Sequence, residues 1–324
     1  SSECISRQIL EEAGAKVADK AKVILLEDPE LKELREPLQF ISKNWRDLTP
    51  ALMSLSCEAV GGKPEETHDA ALSMCLMNLS FTIMDDIIDN ARSKSFKPTV
   101  FGKFGEGQSI IISGIASARA FIIFSRSRMD RVKKEKISKL IWKLCSKMAT
   151  EELITLKIRA QGLMSSNQKF IKIKSEAIDL ATLLKIGAII GNGSNNEIRH
   201  LYKYGQCLAI ILALRQDLQV SLNLTLELAE KIKNNRLPYS ILWANEHSSI
   251  LKAELESLRE LSTLSDSSVK KFIECFLDTG ICNHITKNIK KFKKKGECEL
   301  GFIPPNSATN TLNHLLTLNA GLFP

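Results

Sequence analysis

The stretch from Ala70 to Ile88 is dominated by apolar side chains and closes on Asp85-Asp86-Ile87-Ile88-Asp89. A helix that is apolar on all sides must be buried by its neighbours, so this segment dictates that other helices surround it. Acids at i and i+4 share one helix face, and Asp86 stands beside them. Three acids ending an apolar helix are costly unless something positive binds them. Mg²⁺ suits the pattern, since it takes one or two carboxylates and completes its shell with water and phosphate oxygens. A solvated helix end with its acids in water is the other reading, and the surroundings must decide.

With 324 residues, 44% of them hydrophobic, the chain can bury a sizeable core. It has only 16 Gly and 9 Pro, apolar residues recur at helical spacing, and few segments alternate with period two. The expectation is an all-α protein: a single domain over residues 1–324, built as one bundle of about ten helices. Residues 4–35 read as a helix pair broken at Asp28-Pro29-Glu30, and Glu36 to Pro50 as an irregular connection. Helices follow over Ala51–Val60, Glu65–Asn90, Glu106–Ser125, Lys136–Gln161, Phe170–Ile190 and Asn196–Leu222. Another follows Leu237-Pro238, two or three fill 249–295, and Thr309–Leu318 is a short amphipathic piece.

No uninterrupted apolar run reaches the roughly 18 residues of a membrane span, so no transmembrane segment is expected. Nor does Ser1 to Gln8 show a signal pattern. The eight cysteines form no CxxC pair and the five histidines show no metal-ligand spacing. Scattered thiols fit a reducing, cytoplasmic setting. The net charge of +8 concentrates in Lys287 to Lys295. That run is either a solvated helix face or an attraction to an anionic membrane, a polyanion or a diphosphate. Nucleic acid is not an expected partner, because aromatics are only 6% and no recognition motif is present.

The order of motifs resembles the trans-isoprenyl diphosphate synthase (polyprenyl synthetase) family. The family pattern is DDxxD, four residues, Arg-Arg-Gly, one residue, Pro-Thr, then a glycine seven residues past the proline. Asp85, Asp86, Asp89, Pro98, Thr99, Gly105 and Gly114 keep that spacing without a gap. Weaker echoes are Gly61-Gly62, Gly187 to Gly191, and Leu237-Pro238, so the likeness spans about residues 40–245. It implies long helices around a deep apolar cavity, with two Asp-rich helices holding Mg²⁺ on an allylic prenyl diphosphate. The metal draws charge onto the leaving diphosphate, the allylic bond ionises, and isopentenyl diphosphate attacks. By the same likeness Asp85, Asp86 and Asp89 are metal ligands, and Lys94 replaces the first arginine of the pair as a diphosphate cation. Phe81, one turn before Asp85, either limits the chain length in the cavity or is ordinary core.

The second half of the family's machinery is altered. In the isopentenyl pocket Arg46 keeps a charge, but Asp47 and Thr49 stand where the family has arginines; Asn78 replaces a histidine, and Ser95 the second arginine of the pair. An acid facing a diphosphate loses a charge-assisted bond and adds repulsion. The second aspartate motif reduces to Gln216, Asp217 and Val220. Two family lysines align with Ser175 and Asn234, leaving Lys174, Arg215 or Arg236 as substitutes. Arg215 and Asp217 are otherwise a buried polar pair. The resemblance thus implies two functions. One is a Mg²⁺-dependent enzyme acting on an allylic diphosphate, by cyclisation, diphosphate loss or unusual prenyl transfer. The other is a non-catalytic partner subunit of a prenyl diphosphate synthase, and either assembles as a homodimer or heterodimer.

Overall fold

A computed structural model describes residues 14, 17, 19–44, 47–94, 97–162, 164–222, 228, 231–232, 236–260 and 266–321. After helical residues 19–26 and a 3-10 turn (Pro29–Leu34) come α1 (Arg35–Asn44), α2 (Thr49–Ala59), the 3-10 turn Pro64–Thr67 and α3 (His68–Ile88). A two-stranded antiparallel hairpin, β1 (Ser93–Lys94) and β2 (Lys97–Pro98), leads into α4 (Val100–Arg126). Then follow α5 (Arg131–Gln161), α6 (Ser166–Glu176), α7 (Ile178–Ile190) and α8 (Asn195–Leu222). The last five are α9 (Tyr239–His247), α10 (Ser249–Glu260), α11 (Asp266–Asp278), α12 (Ile281–Leu300) and α13 (Ser307–Ala320). The protein is all-α, as expected from its periodicity.

The chain sorts into two compact units, one of residues 1–139, 182–202 and 299–315, the other of 140–181, 203–298 and 316–324. In the first, α3 packs along α4. Serines line that otherwise apolar seam: Ser73 Oγ donates to the Ala120 carbonyl at 2.8 Å, and the Ser80 and Ser113 hydroxyls meet at 2.8 Å. Ser117 Oγ adds a bond to Ser80 Oγ at 2.7 Å. Each of these four hydroxyls therefore has a partner, as burial requires. The glycines of the weaker motif echoes meet where α2 crosses α7. A Cβ on Gly187 would lie 2.3 Å from the Met53 carbonyl oxygen, and one on Gly62 would lie 2.4 Å from Gly191 Cα. Only glycine lets the two backbones come this close.

In the second unit α9 packs against α6 and α10, and α10 against α11. Phe272, Phe276, Ile281, Ile285 and Ile289 are fully buried. Glu246 of α9 accepts from Ser166 N at 2.7 Å, satisfying a free donor at the start of α6.

Two expectations are corrected. Arg35–Asn44 is a helix rather than an irregular connection; Pro37 sits in its first turn, where a missing N–H costs nothing. Phe170 to Ile190 is two helices, broken at Ala177 without glycine or proline. Pro64–Ile88 and Val100–Arg126 are, by length and composition, apolar enough to cross a membrane, a test that a buried core helix also passes. Counting unbroken apolar runs overlooks this, because serine, threonine and glycine interrupt a run without adding charge. The most apolar window of the first is 61% buried inside the protein, that of the second 33%.

Candidate active site

Asp85, Asp86, Asp89 and Lys94 belong to the first unit. The acid-bearing end of α3 stops at Asn90, whose φ of 49° is left-handed. Asn90 N bonds to the Ile87 carbonyl at 3.0 Å and Ala91 N to the Asp86 carbonyl at 2.8 Å. This pair of bonds is the Schellman arrangement, with Asn in the place usually held by Gly. It turns the chain back so that the hairpin presents Lys94 to the acids. Lys94 Nζ lies 2.5 Å from Asp86 Oδ1 and 3.3 Å from Asp85 Oδ2. The Asp86 contact is the shorter of the two, and the Asp86 side chain is buried.

Burial pushes the Asp86 carboxyl above the usual range, Lys94 opposes this, and Asp85 and Asp89 add to it. For Lys94, burial pulls the ammonium down, but Asp85 and Asp86 outweigh it and raise the group overall. The exposed Lys94–Asp85 pair is worth about 0–1 kcal/mol. The Lys94–Asp86 pair matters more, because Asp86 without it is a buried charge with no counter-ion.

The hairpin's exit is fixed by Thr99. Its Oγ1 donates to the Ala91 carbonyl at 2.7 Å and accepts from Gly102 N at 2.9 Å, capping α4. Thr99→Ala loses both bonds and is expected to destabilise the protein by about 1–2 kcal/mol, measured by urea unfolding. α4 then kinks at Gly105, with φ 80°, which accounts for the family glycine at this position.

Two turns before Asp85 along α3, Asn78 Nδ2 donates to Asp47 Oδ2 at 3.2 Å. Asp47 Oδ1 accepts from Thr49 N at 2.8 Å, at the start of α2. Burial raises the Asp47 carboxyl, while the Thr49, Asn78 and Cys75 hydrogen bonds lower it. Asp47 and Asn78 therefore form one internal polar knot. Phe81 is half-buried and packs against the core with Leu76 and Ile83. Arg46 and Ser95 lie outside the described residues, as does Asn234.

Lys174, Arg215 and Asp217 belong to the second unit, and they do not converge. Lys174 is exposed, its ammonium 4.4 Å from the centre of the Phe170 ring. Arg215 Nη1 reaches towards the Leu318 carbonyl and Asn319 Oδ1, both at 3.5 Å. Asp217 instead binds the start of α9: Oδ2 accepts from Tyr239 N at 2.6 Å, and Oδ1 accepts from Ser240 N at 2.8 Å and Ser240 Oγ at 2.5 Å. The expected Arg215–Asp217 pair is thus replaced by a helix cap, because residues two apart on a helix face different ways. Burial raises the Asp217 carboxyl, and the Ser240 and Tyr239 donors and Lys169 pull it back.

The cation near Asp217 is Lys169, which sequence reasoning passed over for Lys174. Burial holds its ammonium below the usual range, against the charges of Glu176 and Asp217. Its neighbour Lys172 is buried on Glu152, Thr155 and Glu176 at 3.0, 3.0 and 3.4 Å. The signal lay in spacing: 166, 169, 172, 173 and 176 share one helix face, whereas 174 lies off it.

Among the described residues no three acids, histidines or cysteines are placed to enclose a metal by themselves. The donor set nevertheless fits Mg²⁺ shared with a ligand. Asp85 is exposed and Asp89 half-exposed one turn on, so phosphate and water oxygens have room to complete an octahedron.

This fold is found in solved prenyl synthases. The geranylgeranyl pyrophosphate synthetase of Pyrococcus horikoshii superposes with a TM-score of 0.83 over 100% of both chains at 19% identity. A Caulobacter crescentus polyprenyl synthase, solved with calcium and isoprenyl diphosphate, gives 0.82 over 99% of this chain and 97% of that one at 16% identity. The chain belongs to the polyprenyl synthetase family, whose sequence profile matches residues 31–260. A short chain isoprenyl diphosphate synthase of Methanothermobacter thermautotrophicus is 27% identical over 186 residues, 57% of each chain. The heterodimeric geranylgeranyl pyrophosphate synthase large subunit 2 of Arabidopsis thaliana is 27% identical over 179 residues, 52% of this chain and 47% of that one. The chain thus spans about half the length of these curated relatives.

Proposed function

We propose that the protein binds an allylic prenyl diphosphate with Mg²⁺, promotes departure of the diphosphate, and uses isopentenyl diphosphate poorly as co-substrate. The reading is carried by Lys94 closing on Asp85 and Asp86 at one level of α3 while Asp47 closes on Asn78 two turns earlier. Bound Mg²⁺ supplies charge that offsets the negative charge gathering on the leaving group. Asp85 and Asp89 would hold the ion, and Lys94, beside them, would donate to a diphosphate oxygen. Asp47 sets an acid where a second diphosphate needs cations, and its oxygens already accept hydrogen bonds from Thr49, Asn78 and Cys75.

The test is incubation with Mg²⁺ and geranyl, farnesyl or geranylgeranyl diphosphate, with and without isopentenyl diphosphate. Diphosphate release without isopentenyl diphosphate is expected, at a rate changed less than about twofold by its addition. Chain-elongated product overturns the reading of Asp47 and Asn78.

A second reading, a partner subunit of a related synthase, is favoured by one observation: Asp217 is committed to capping α9. Assembly is part of either proposal. Ile110, Ile111, Phe121 and Ile122 lie on one face of α4 and are 41–62% exposed, an apolar surface suited to a second subunit. Absence of turnover, with activation of a co-expressed intact synthase, supports the subunit reading.

A further inference from the structure

The lysine run of the C-terminal region lies on α12, whose two faces differ sharply. Ile281, Ile285, Ile289 and Phe292 are buried on one side. That side packs into the second unit: Phe292 meets Phe170 at 6.5 Å, and the His284 ring stacks on Trp243 at 4.4 Å. Lys287, Lys290, Lys291, Lys294 and Lys295 are all exposed. At about 100° per residue these five fall within an arc of about 140°, and they run along about 12 Å of the helix. Among the described residues none of the five has an acid within ion-pair distance. Nearby lysines behave otherwise: Lys271 pairs with Glu254, Lys270 with Glu274 at 4.0 Å, and Lys293 with Glu297 at 3.2 Å.

An ordinary solvated face intersperses both signs, and like charges at i,i+3 and i,i+4 destabilise a helix. The pairs Lys287/Lys291, Lys290/Lys294 and Lys291/Lys295 all carry that repulsion. An anion that binds the face relieves it. The chemistry of the face selects among anions. It holds no arginine, whose fork suits discrete phosphates and carboxylates, and no aromatic ring on which a base stacks. Point charges spread over a convex helix match a diffuse sheet of negative charge. We propose that the Lys287–Lys295 face of α12 docks the protein onto an anionic phospholipid surface. The proposal is independent of the reading of the metal site.

The experiment is co-sedimentation of the full chain with phosphatidylcholine vesicles and with vesicles of phosphatidylcholine and phosphatidylglycerol. Binding to the anionic vesicles alone is expected, and it is lost as salt rises from about 0.1 M to about 1 M. The triple variant Lys287→Gln/Lys291→Gln/Lys294→Gln is expected to bind about a hundredfold more weakly, each lysine contributing about fivefold. Its far-ultraviolet circular dichroism and melting serve as the folding control. Cys298 is exposed and continues the lysine arc one turn on, so it reports which face is covered. Bound anionic vesicles are expected to slow its reaction with a water-soluble maleimide at least fivefold, read by peptide mass. Any one of these results overturns the proposal: no binding to anionic vesicles, equal binding to neutral ones, an unweakened triple variant, or full labelling of Cys298 on bound protein. Tighter binding to a DNA duplex than to anionic vesicles in the same buffer overturns it in favour of a polyanion.

Discussion

Asp85→Ala is expected to reduce Mg²⁺-dependent diphosphate release by about 10²–10³-fold, the usual scale for losing one charge-stabilising group in a site. The fold is expected to survive. Asp85 is exposed, and Lys94 keeps its closer partner, Asp86, at 2.5 Å. Melting is therefore expected to shift by no more than about 2 °C, as for an ordinary surface change. Turnover against Mg²⁺ concentration, with melting recorded on the same preparation, checks both parts. Unchanged turnover, or an unchanged Mg²⁺ requirement, removes Asp85 from the metal site.

Asp217→Ala is expected to act through stability first. It strands Tyr239 N and Ser240 N at the start of α9 and leaves the Ser240 hydroxyl only Ser221 Oγ at 2.7 Å, all three now being within 2.8 Å of the carboxylate. Three donors losing a charged acceptor amount to roughly 3–5 kcal/mol. For a chain of this size that lowers melting by about 6–15 °C. Asp217→Asn retains one acceptor oxygen and is expected to lose less than half as much. The pair of variants separates two roles. If Asp217 serves only as a cap, activity at low temperature follows the folded fraction in both. If it also serves the reaction, Asp217→Asn loses turnover while staying largely folded.

The parts of the fold and site that sequence reveals are those fixed by local spacing. Asp85 and Asp89 are one turn apart in any helix, and Lys94 lies close enough along the chain that a tight turn must bring it back. The hydrophobic period marks α3 and α8 within a few residues of their ends. What stayed hidden depends on distant partners. Asp217 reads as a metal acid or as half of a pair with Arg215, because its true partners, Tyr239 and Ser240, arrive on a later helix. Lys169 and Lys174 look equivalent as letters; only the side of α6 that packs inward distinguishes them. Asp47 reads as repulsive to a diphosphate, yet nothing local shows that Asn78 takes up its oxygen. α1 was missed because Pro37 and the polar Lys43-Asn44 imitate a loop.

The serine seam between α3 and α4 has a consequence for accuracy of placement. Two apolar helices in contact are free to slip by a turn, since hydrocarbon packs almost equally well in neighbouring settings. The bonds of Ser73 to Ala120 and of Ser80 to Ser113 and Ser117 join the two helices in the observed setting. A slip of a fraction of a turn, less than about 5.4 Å, separates those hydroxyls from their partners in a dry interface. The seam acts as a vernier. It transmits longitudinal alignment along α3 to Asp85, and along α4 back to Thr99 and the hairpin that carries Lys94.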